Sequence, residues 1–323
     1  MRGLFYRFIS FVSRYTGLWL VSATAGVIAA AYFVCLPGRT ANSVRFYRAL
    51  YPGRKIFFHV WCAWRQYHHF STVFIDRLRF EQHGGPTWVG EGLEYLVQAA
   101  QKGEYGILLT SHVGNWEAAA RGLQTLNFKI LLYMGVRQYE QIEAQIKKDL
   151  ADHGISIVAV AKDSDAQFEG LEGLRFLRNS GFVALAGDLL WSRGQKTITV
   201  KFLGHDVLLP RAPYVFAMVL GVPIFVFFVV RTGKAQYRIV AHPPLYVKAG
   251  SRDRREAAIR RAAQQYASLL EQTVRRYPEH WYHFTPMWID GTNTQHRHRR
   301  HTRRRLDLHG EQRGNKDEKK AST

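Results

Sequence analysis

Cysteine is almost missing from this chain: Cys35 and Cys62 are the only two in 323 residues, far apart and in apolar surroundings. No CxxC and no Cys/His pair at metal-ligand spacing occurs, which removes a disulfide framework and a structural zinc site. Both cysteines read as small packed side chains. Signatures of nucleotide and peptide hydrolysis are missing too: there is no GxxxxGK[ST], HExxH, GxSxG or strand-linked GxGxxG. Acidic residues are scarce, 25 against 45 Lys and Arg, giving a formal net charge of +20. That imbalance fits an anionic partner, whether nucleic acid, an anionic membrane surface or an acidic substrate. Charge is absent altogether from Leu18 to Leu36, a run flanked by Arg14 and Arg39. Its length approaches the ~20 residues a helix needs to cross a hydrocarbon core.

This run reads as a membrane anchor occupying residues 1–40. Arg2, Arg7 and Arg14 ahead of Ala29-Ala30-Ala31 also fit a secretory signal, but Arg39, Arg45 and Arg48 follow at once. A helix lying in the interface is compatible with the same residues, and cations on both sides leave orientation open.

What the chain does contain is enough apolar residue for one large α/β domain or two small ones. Residues 42–80 are rich in Arg, His and large aromatics (Trp61, Trp64, Tyr67, Phe70) at helical spacing. They form a helix that packs on the main domain or seats it at an interface. From residue 89 onward, helical stretches are expected at 89–101, 116–126, 138–152, 165–179 and 211–220. Strands are expected at 106–111, 129–134, 155–161, 182–186, 198–203, 224–231 and 237–241. Alternation of this kind gives an α/β sheet of mostly parallel strands flanked by helices, over residues 41–290. Residues 253–277 form a basic amphipathic helix whose Ile259, Ala263, Tyr266, Leu270 and Val274 face the core. Residues 291–323, with His296-Arg297-His298-Arg299-Arg300-His301 and Arg303-Arg304-Arg305, are a low-complexity tail with nothing to bury and are expected to be disordered. Such a tail is simply solvated, or holds anionic headgroups, metal or RNA.

Chemistry concentrates in Ser111-His112-Val113-Gly114-Asn115-Trp116-Glu117. A lone His-to-acid pair at this spacing means little, since roughly one is expected by chance from 14 His and 25 acidic residues in 323. The surroundings carry the argument. An apolar strand at 106–111 places His112 at its carboxyl end, the edge where open α/β sheets bind ligands. Gly114 allows a tight turn and close approach of backbone to substrate. Asn115 caps the following helix, and Glu117 falls in its first turn. A carboxylate there can fix one imidazole nitrogen while the other takes a proton from a hydroxyl. A partly buried His beside an N-terminal helix Glu, with no chemistry, fits the same residues.

This segment resembles the HX4(D/E) motif of the lysophospholipid acyltransferase superfamily. In its His-x-Gly-Asn-Trp-Glu form it is similar to the bacterial lipid A biosynthesis (lauroyl/myristoyl) acyltransferase family. The likeness runs from the hydrophobic N-terminus to about Trp288. Gly187-Asp188-Leu189-Leu190-Trp191-Ser192-Arg193-Gly194 stands where the family has an Asp-Gln-Asp segment, with Leu189 and Leu190 in place of the polar pair. Tyr133-Met134-Gly135-Val136-Arg137 resembles a segment ending in Tyr-Arg, with the arginine displaced. Val200-Lys201-Phe202-Leu203-Gly204 is similar to a Phe-Phe-Gly element, while His205 and Asp206 read as a turn between strands. Pro278-Glu279-His280-Trp281-Tyr282 is similar to the closing Pro-Glu-x-Trp segment. After it the family has His-Arg-Arg, whereas this chain has His283-Phe284-Thr285-Pro286, which leaves open whether the acceptor is the phosphorylated lipid A precursor.

The resemblance implies an O-acyltransferase on the cell inner membrane, its catalytic domain on the cytoplasmic face. It would move a fatty acyl group from acyl carrier protein or coenzyme A to a lipid or glycolipid hydroxyl. It also implies His112 as general base and Glu117 as its orienting partner. Gly114, Asn115, Arg137, Asp188 and Arg193 are the expected substrate-binding residues, the two arginines because guanidinium suits phosphate. Backbone N–H groups near Gly114, or an arginine, would meet the oxyanion. No metal and no tightly bound cofactor is implied, membrane lipids are the expected partners with acyl carrier protein as a further candidate, and nucleic acid is not expected. Two rival readings are a non-catalytic acyl-donor or lipid-binding protein on the same fold, and a nucleic-acid-binding protein suggested by the charge.

Overall fold

The computed structural model describes residues 17–83, 85–124, 128–135, 144–152, 154–160, 172–173, 175–179, 181–190 and 195–289. Three helices come first: α1 (Leu18–Cys35), α2 (Pro37–Leu50) and α3 (Ile56–His83). The helix expected over 42–80 is thus two helices, because Pro52 and Gly53 break the backbone ladder between them. α1 is long and apolar enough to cross a membrane by length and composition, and it buries only Ala29. One flank of α1 lies on α3, where Phe33 meets Trp64 and Tyr67 edge-on, ring centroids 5.3 and 5.4 Å apart. Both cysteines are free, but Cys35, expected to be packed, is exposed at the end of α1, and Cys62 is half-buried.

The α/β unit begins with β1 (Thr87–Glu91) and α4 (Leu93–Gln101), followed by β2 (Ile107–Thr110), α5 (Trp116–Gln124) and β3 (Ile130–Gly135). Then come α6 (Ala144–Asp152), β4 (Ile155–Val160), β5 (Phe182–Ala186), β6 (Thr197–Phe202) and β7 (His205–Pro210). The chain closes with α7 (Ala212–Leu220), β8 (Ile224–Gly233), β9 (Gln236–Ala241) and α8 (Arg255–Arg276). Seven strands form one sheet in the order β1-β9-β8-β2-β5-β3-β4, all neighbours parallel except the β8–β9 hairpin. The expected α/β architecture is present. Two expectations fail locally. Residues 89–91, read as helix, belong to β1, an edge strand that Trp88 and Val89 favour and that ends where Gly92 turns into α4 at a φ of 82°. His205 and Asp206, read as a turn, open β7 opposite Phe202 and Lys201; the turn is Leu203-Gly204, with φ of 51° and 79°. The helix expected at 165–179 falls largely outside the described residues.

Strand alternation divides the core. Ile107 and Leu109 of β2, with Ile224, Val226, Phe228 and Val230 of β8, face α2, α7 and α8. Leu108, Phe225, Phe227 and Val229 face α4, α5 and α6. Helix α8 buries the apolar stripe read from the sequence, including Ile259, Tyr266 and Leu270. Its Gln264 and Glu271 side chains bond the free edge of β6 at Lys201 and Leu203. Phe182 of β5 is fully buried among Tyr105, Phe128 and Phe225, at centroid distances of 5.4, 5.1 and 5.8 Å. Truncating such a ring leaves a cavity, so Phe182→Ala should cost about 3–5 kcal/mol. Urea denaturation of wild type and variant in detergent checks this.

Candidate active site

The register of the sheet builds the site. β2 and β5 are parallel neighbours with Thr110 opposite Ala186. Continuing both strands by two residues brings His112 opposite Asp188 at the carboxyl edge of the sheet. There His112 Nδ1–H donates to Asp188 Oδ1 at 2.9 Å, and the His112 backbone N–H donates to Oδ2, also at 2.9 Å. Trp281 Nε1–H donates to Oδ2 at 2.9 Å, and the Asp188 carbonyl accepts from His283 Nε2–H at 3.0 Å. Asp188 is buried, whereas the His112 side chain keeps 23 % of its surface open. No described residue bonds His112 Nε2. A histidine fixed through one nitrogen and accessible at the other is arranged to accept a proton.

Electrostatics point the same way. Burial disfavours the imidazolium of His112, but the charge and hydrogen bond of Asp188 outweigh it and raise the His112 pKa above its ordinary value. Burial pushes Asp188 upward, yet His112, His283 and the backbone N–H hold its carboxyl well below the usual range. His283 lies stacked on Trp281, and burial lowers its pKa.

This corrects the partner assigned from sequence spacing. Glu117 accepts from Arg77 Nε at 2.6 Å and from Arg121 Nη2 at 3.3 Å. It is buried in the first turn of α5 and serves an ion-pair cluster rather than the imidazole. The carboxylate bonded to the imidazole is Asp188, which had been expected at the substrate. The reason is topological: five-residue spacing placed Glu117 near His112 along the chain, while strand adjacency delivered an acid 76 residues away.

Gly114 and Asn115 also have structural work instead of free groups for substrate. Gly114 sits at φ 76°, and a Cβ there would lie 1.6 Å from the Val229 carbonyl oxygen. Its N–H donates to the His280 carbonyl at 2.7 Å, that of Val113 to Ser111 Oγ at 3.2 Å, and that of Asn115 to the Val229 carbonyl at 3.4 Å. The amides expected to meet an oxyanion are therefore already committed. Asn115 Oδ1 caps α5 by accepting from the N–H groups of Glu117 and Ala118, at 2.9 and 3.3 Å. Its Nδ2 donates to Tyr237 Oη at 3.1 Å, and Tyr237 in turn donates to buried Asp76 at 2.7 Å. Arg231 and Arg79 pair with Asp76, from 2.6 to 3.2 Å, and together with Tyr237 they hold its pKa low despite its burial. Arg137 and Arg193 lie outside the described residues.

The segment after α8 completes the site. The His112 carbonyl accepts from the Tyr282 N–H at 2.8 Å, and Val113 bridges Trp281 in antiparallel fashion. His280 Nδ1 accepts from the Arg231 N–H at 3.3 Å, and burial pushes the His280 pKa down to about 4. The Pro-Glu-x-Trp resemblance marked this segment. That Trp281 and His283 would both reach Asp188 had no signal in the sequence.

A histidine at the carboxyl edge of a parallel sheet, tied to a buried carboxylate and open at its second nitrogen, is an arrangement able to accept a proton. The sequence profile of the bacterial lipid A biosynthesis acyltransferases matches residues 70–289, so the chain belongs to that family and is an acyltransferase of it. A comparison with curated proteins finds no match.

Glu117 and Asp188 are separable by experiment. Glu117→Gln breaks a buried pair, with an expected loss of about 3 kcal/mol, and leaves the pH dependence of the remaining activity in place. Asp188→Asn removes the charge that raises the His112 pKa and leaves only burial, which lowers it. The acid limb of kcat/KM, where His112 gains its proton, should then move to lower pH. Parallel pH–rate profiles and thermal melts distinguish the two.

Proposed function

We propose that this acyltransferase moves a fatty acyl group from an acyl thioester to a hydroxyl of a lipid or glycolipid, at the cytoplasmic face of the inner membrane. The observation that carries the reading is the geometry of His112: Nδ1 is bonded to Asp188, and the side chain is open with Nε2 unpartnered among the described residues. In this reading Nε2 takes the proton of the acceptor hydroxyl as its oxygen attacks the thioester carbonyl. The tetrahedral oxyanion collapses, the carbon–sulfur bond breaks, and the leaving thiolate takes the proton from the imidazolium. Asp188 stays ionised throughout, orienting the ring and stabilising its charged form. Committed amides around Gly114 leave an arginine, such as Arg193 or Arg137, as the donor to the oxyanion.

Membrane association is supported by α1 and by exposed Trp19, Val27 and Tyr32 on it, together with exposed Phe57, Trp61 and Phe74 on α3. Either acyl carrier protein or coenzyme A can present the thioester; neither is a resident cofactor.

General-base assistance contributes about 10²–10⁴-fold to rate, so His112→Ala should lose activity by that factor with its fold intact. The test is mass spectrometry of membrane lipids from a deletion strain complemented with wild type or His112→Ala at matched levels. A lipid that gains one acyl chain only with wild type identifies acceptor and reaction together. Identical profiles, with the candidate acceptors present, would leave a non-catalytic lipid-binding protein.

A further inference from the structure

A cavity of about 1070 Å³ lies between α2, the turn after it and the β6–β7 hairpin, and His112 is not among its lining residues. One stripe of α2 forms its wall: Ala41, Val44, Arg45, Arg48 and Ala49 recur at i, i+3, i+4, i+7 and i+8. The opposite stripe, Phe46, Tyr47 and Leu50, is buried in the core. Arg54 and His59 join from the turn and from α3, and His205 and Trp288 from the far side; among the described residues no acidic side chain lines the cavity. Two guanidinium groups stand over rings, Arg45 over Trp288 at 5.7 Å and Arg54 over Phe58 at 5.4 Å. His59 is only 3 % exposed. Its Nε2–H donates to the Tyr51 carbonyl at 2.9 Å, and its Nδ1 is enclosed by the wall instead of opening onto the cavity.

The cavity is walled off from the acyl-transfer site. Trp288 lies 6.0 Å from Phe202, Phe202 lies 5.3 Å from Trp281, and Trp281 donates to Asp188 on the other side. The lining combines cations with Ala41, Val44, Ala49, Pro52 and Ile56, which suits an amphiphile better than a free anion. Beside it the first turns of α3 expose Ile56, Phe57, Phe58, Val60 and Trp61. An exposed Trp flanked by aromatics is favoured at the level of lipid headgroups. An acidic protein would meet a cationic surface, not a recess with an apolar wall.

We propose that this cavity seats the headgroup phosphate of an anionic phospholipid, held by Arg48 and Arg54, at a place separate from the acyl-transfer centre. The proposal rests on the membrane reading above, since it takes the exposed start of α3 to lie among lipids. The exposed guanidinium groups of Arg48 and Arg54 supply the charge and donate to the phosphate oxygens.

The test is native mass spectrometry of the full chain in detergent, titrated with phosphatidylglycerol or phosphatidylcholine. One phosphatidylglycerol per chain, bound in preference to phosphatidylcholine, is the expected result. Arg48→Gln/Arg54→Gln should weaken it by about tenfold or more. Ala49→Trp, which puts a large ring into the cavity from its α2 wall without altering charge, should do the same. Arg252→Gln/Arg254→Gln, an equal loss of charge from an exposed turn, should leave binding intact. Equal loss in that control, no loss with Ala49→Trp, or displacement by inorganic phosphate at equal concentration would each overturn the proposal. So would loss of acyl carrier protein binding in the cavity variants while lipid binding persists. Vesicle flotation of the same variants separates the two readings: a chain that floats but binds no lipid in detergent refutes the headgroup seat and leaves membrane association standing.

Discussion

The buried carboxylate of Asp188 is the constraint on which the rest of the site depends. An anion removed from water costs several kcal/mol unless its oxygens are satisfied, and here, among the described residues, no Lys or Arg does so. Three N–H donors take that role: the ring and backbone of His112 and the indole of Trp281. These donors come from two parts of the chain that meet only if the sheet and the segment after α8 are both in place. The same charge that must be satisfied for the chain to fold also raises the proton affinity of His112. Fold and reactivity are therefore not independent properties here. A substitution at Asp188 disturbs a buried network and the base together, which is why a pH profile separates its effects and a loss of activity alone does not.

Much of this was legible in the sequence. Apolar runs announced most strands, because strands buried on both faces need little polar alternation. His112 at a strand end, Gly114 at a turn and Asn115 as a cap are local features, and each takes the position that local rules assign. The partner of His112 was not legible. Glu117 was near in sequence, but the first turn of α5 gives it to Arg77. Asp188 becomes a neighbour only through the order of strands, in which β5 rather than β3 lies beside β2. Strand order is a long-range outcome, and no spacing rule contains it. Edge strand β1 and the hairpin strand β7 were missed because both are short and bounded by Gly or a two-residue turn, so their periodicity is weak.

Gly114 shows how tightly the loop is set. The backbone passes so close to Val229 that a single methyl group has no room, and the left-handed φ would strain any side chain. A loop fixed in this way presents its histidine with little conformational freedom. Low entropy in the free enzyme is what an effective general base requires, because the proton acceptor is then in place before substrate arrives. The cost is that its amides are consumed by the fixing, to His280 and Val229. Charge developing on an oxyanion would then need donors from another part of the chain.

Helix α3 joins these matters to the setting of the protein. Its early turns expose Phe57 and Trp61, while its later turns carry Asp76 and Arg77. Through Tyr237 and Asn115 the first of these holds the cap of α5, and through Glu117 the second holds the first turn of the same helix. A helix of 28 residues extends about 42 Å at 1.5 Å per residue, so one rigid element runs from an exposed aromatic end to the back of the active-site loop. If the aromatic end is seated at a lipid surface, the height of His112 above that surface is set by helix geometry rather than by a flexible linker. A lipid hydroxyl sits at a nearly fixed depth, so an enzyme acting on it gains from a catalytic base held at a fixed height. The ion pairs on α3 are then part of positioning the base relative to its substrate, beyond their contribution to stability.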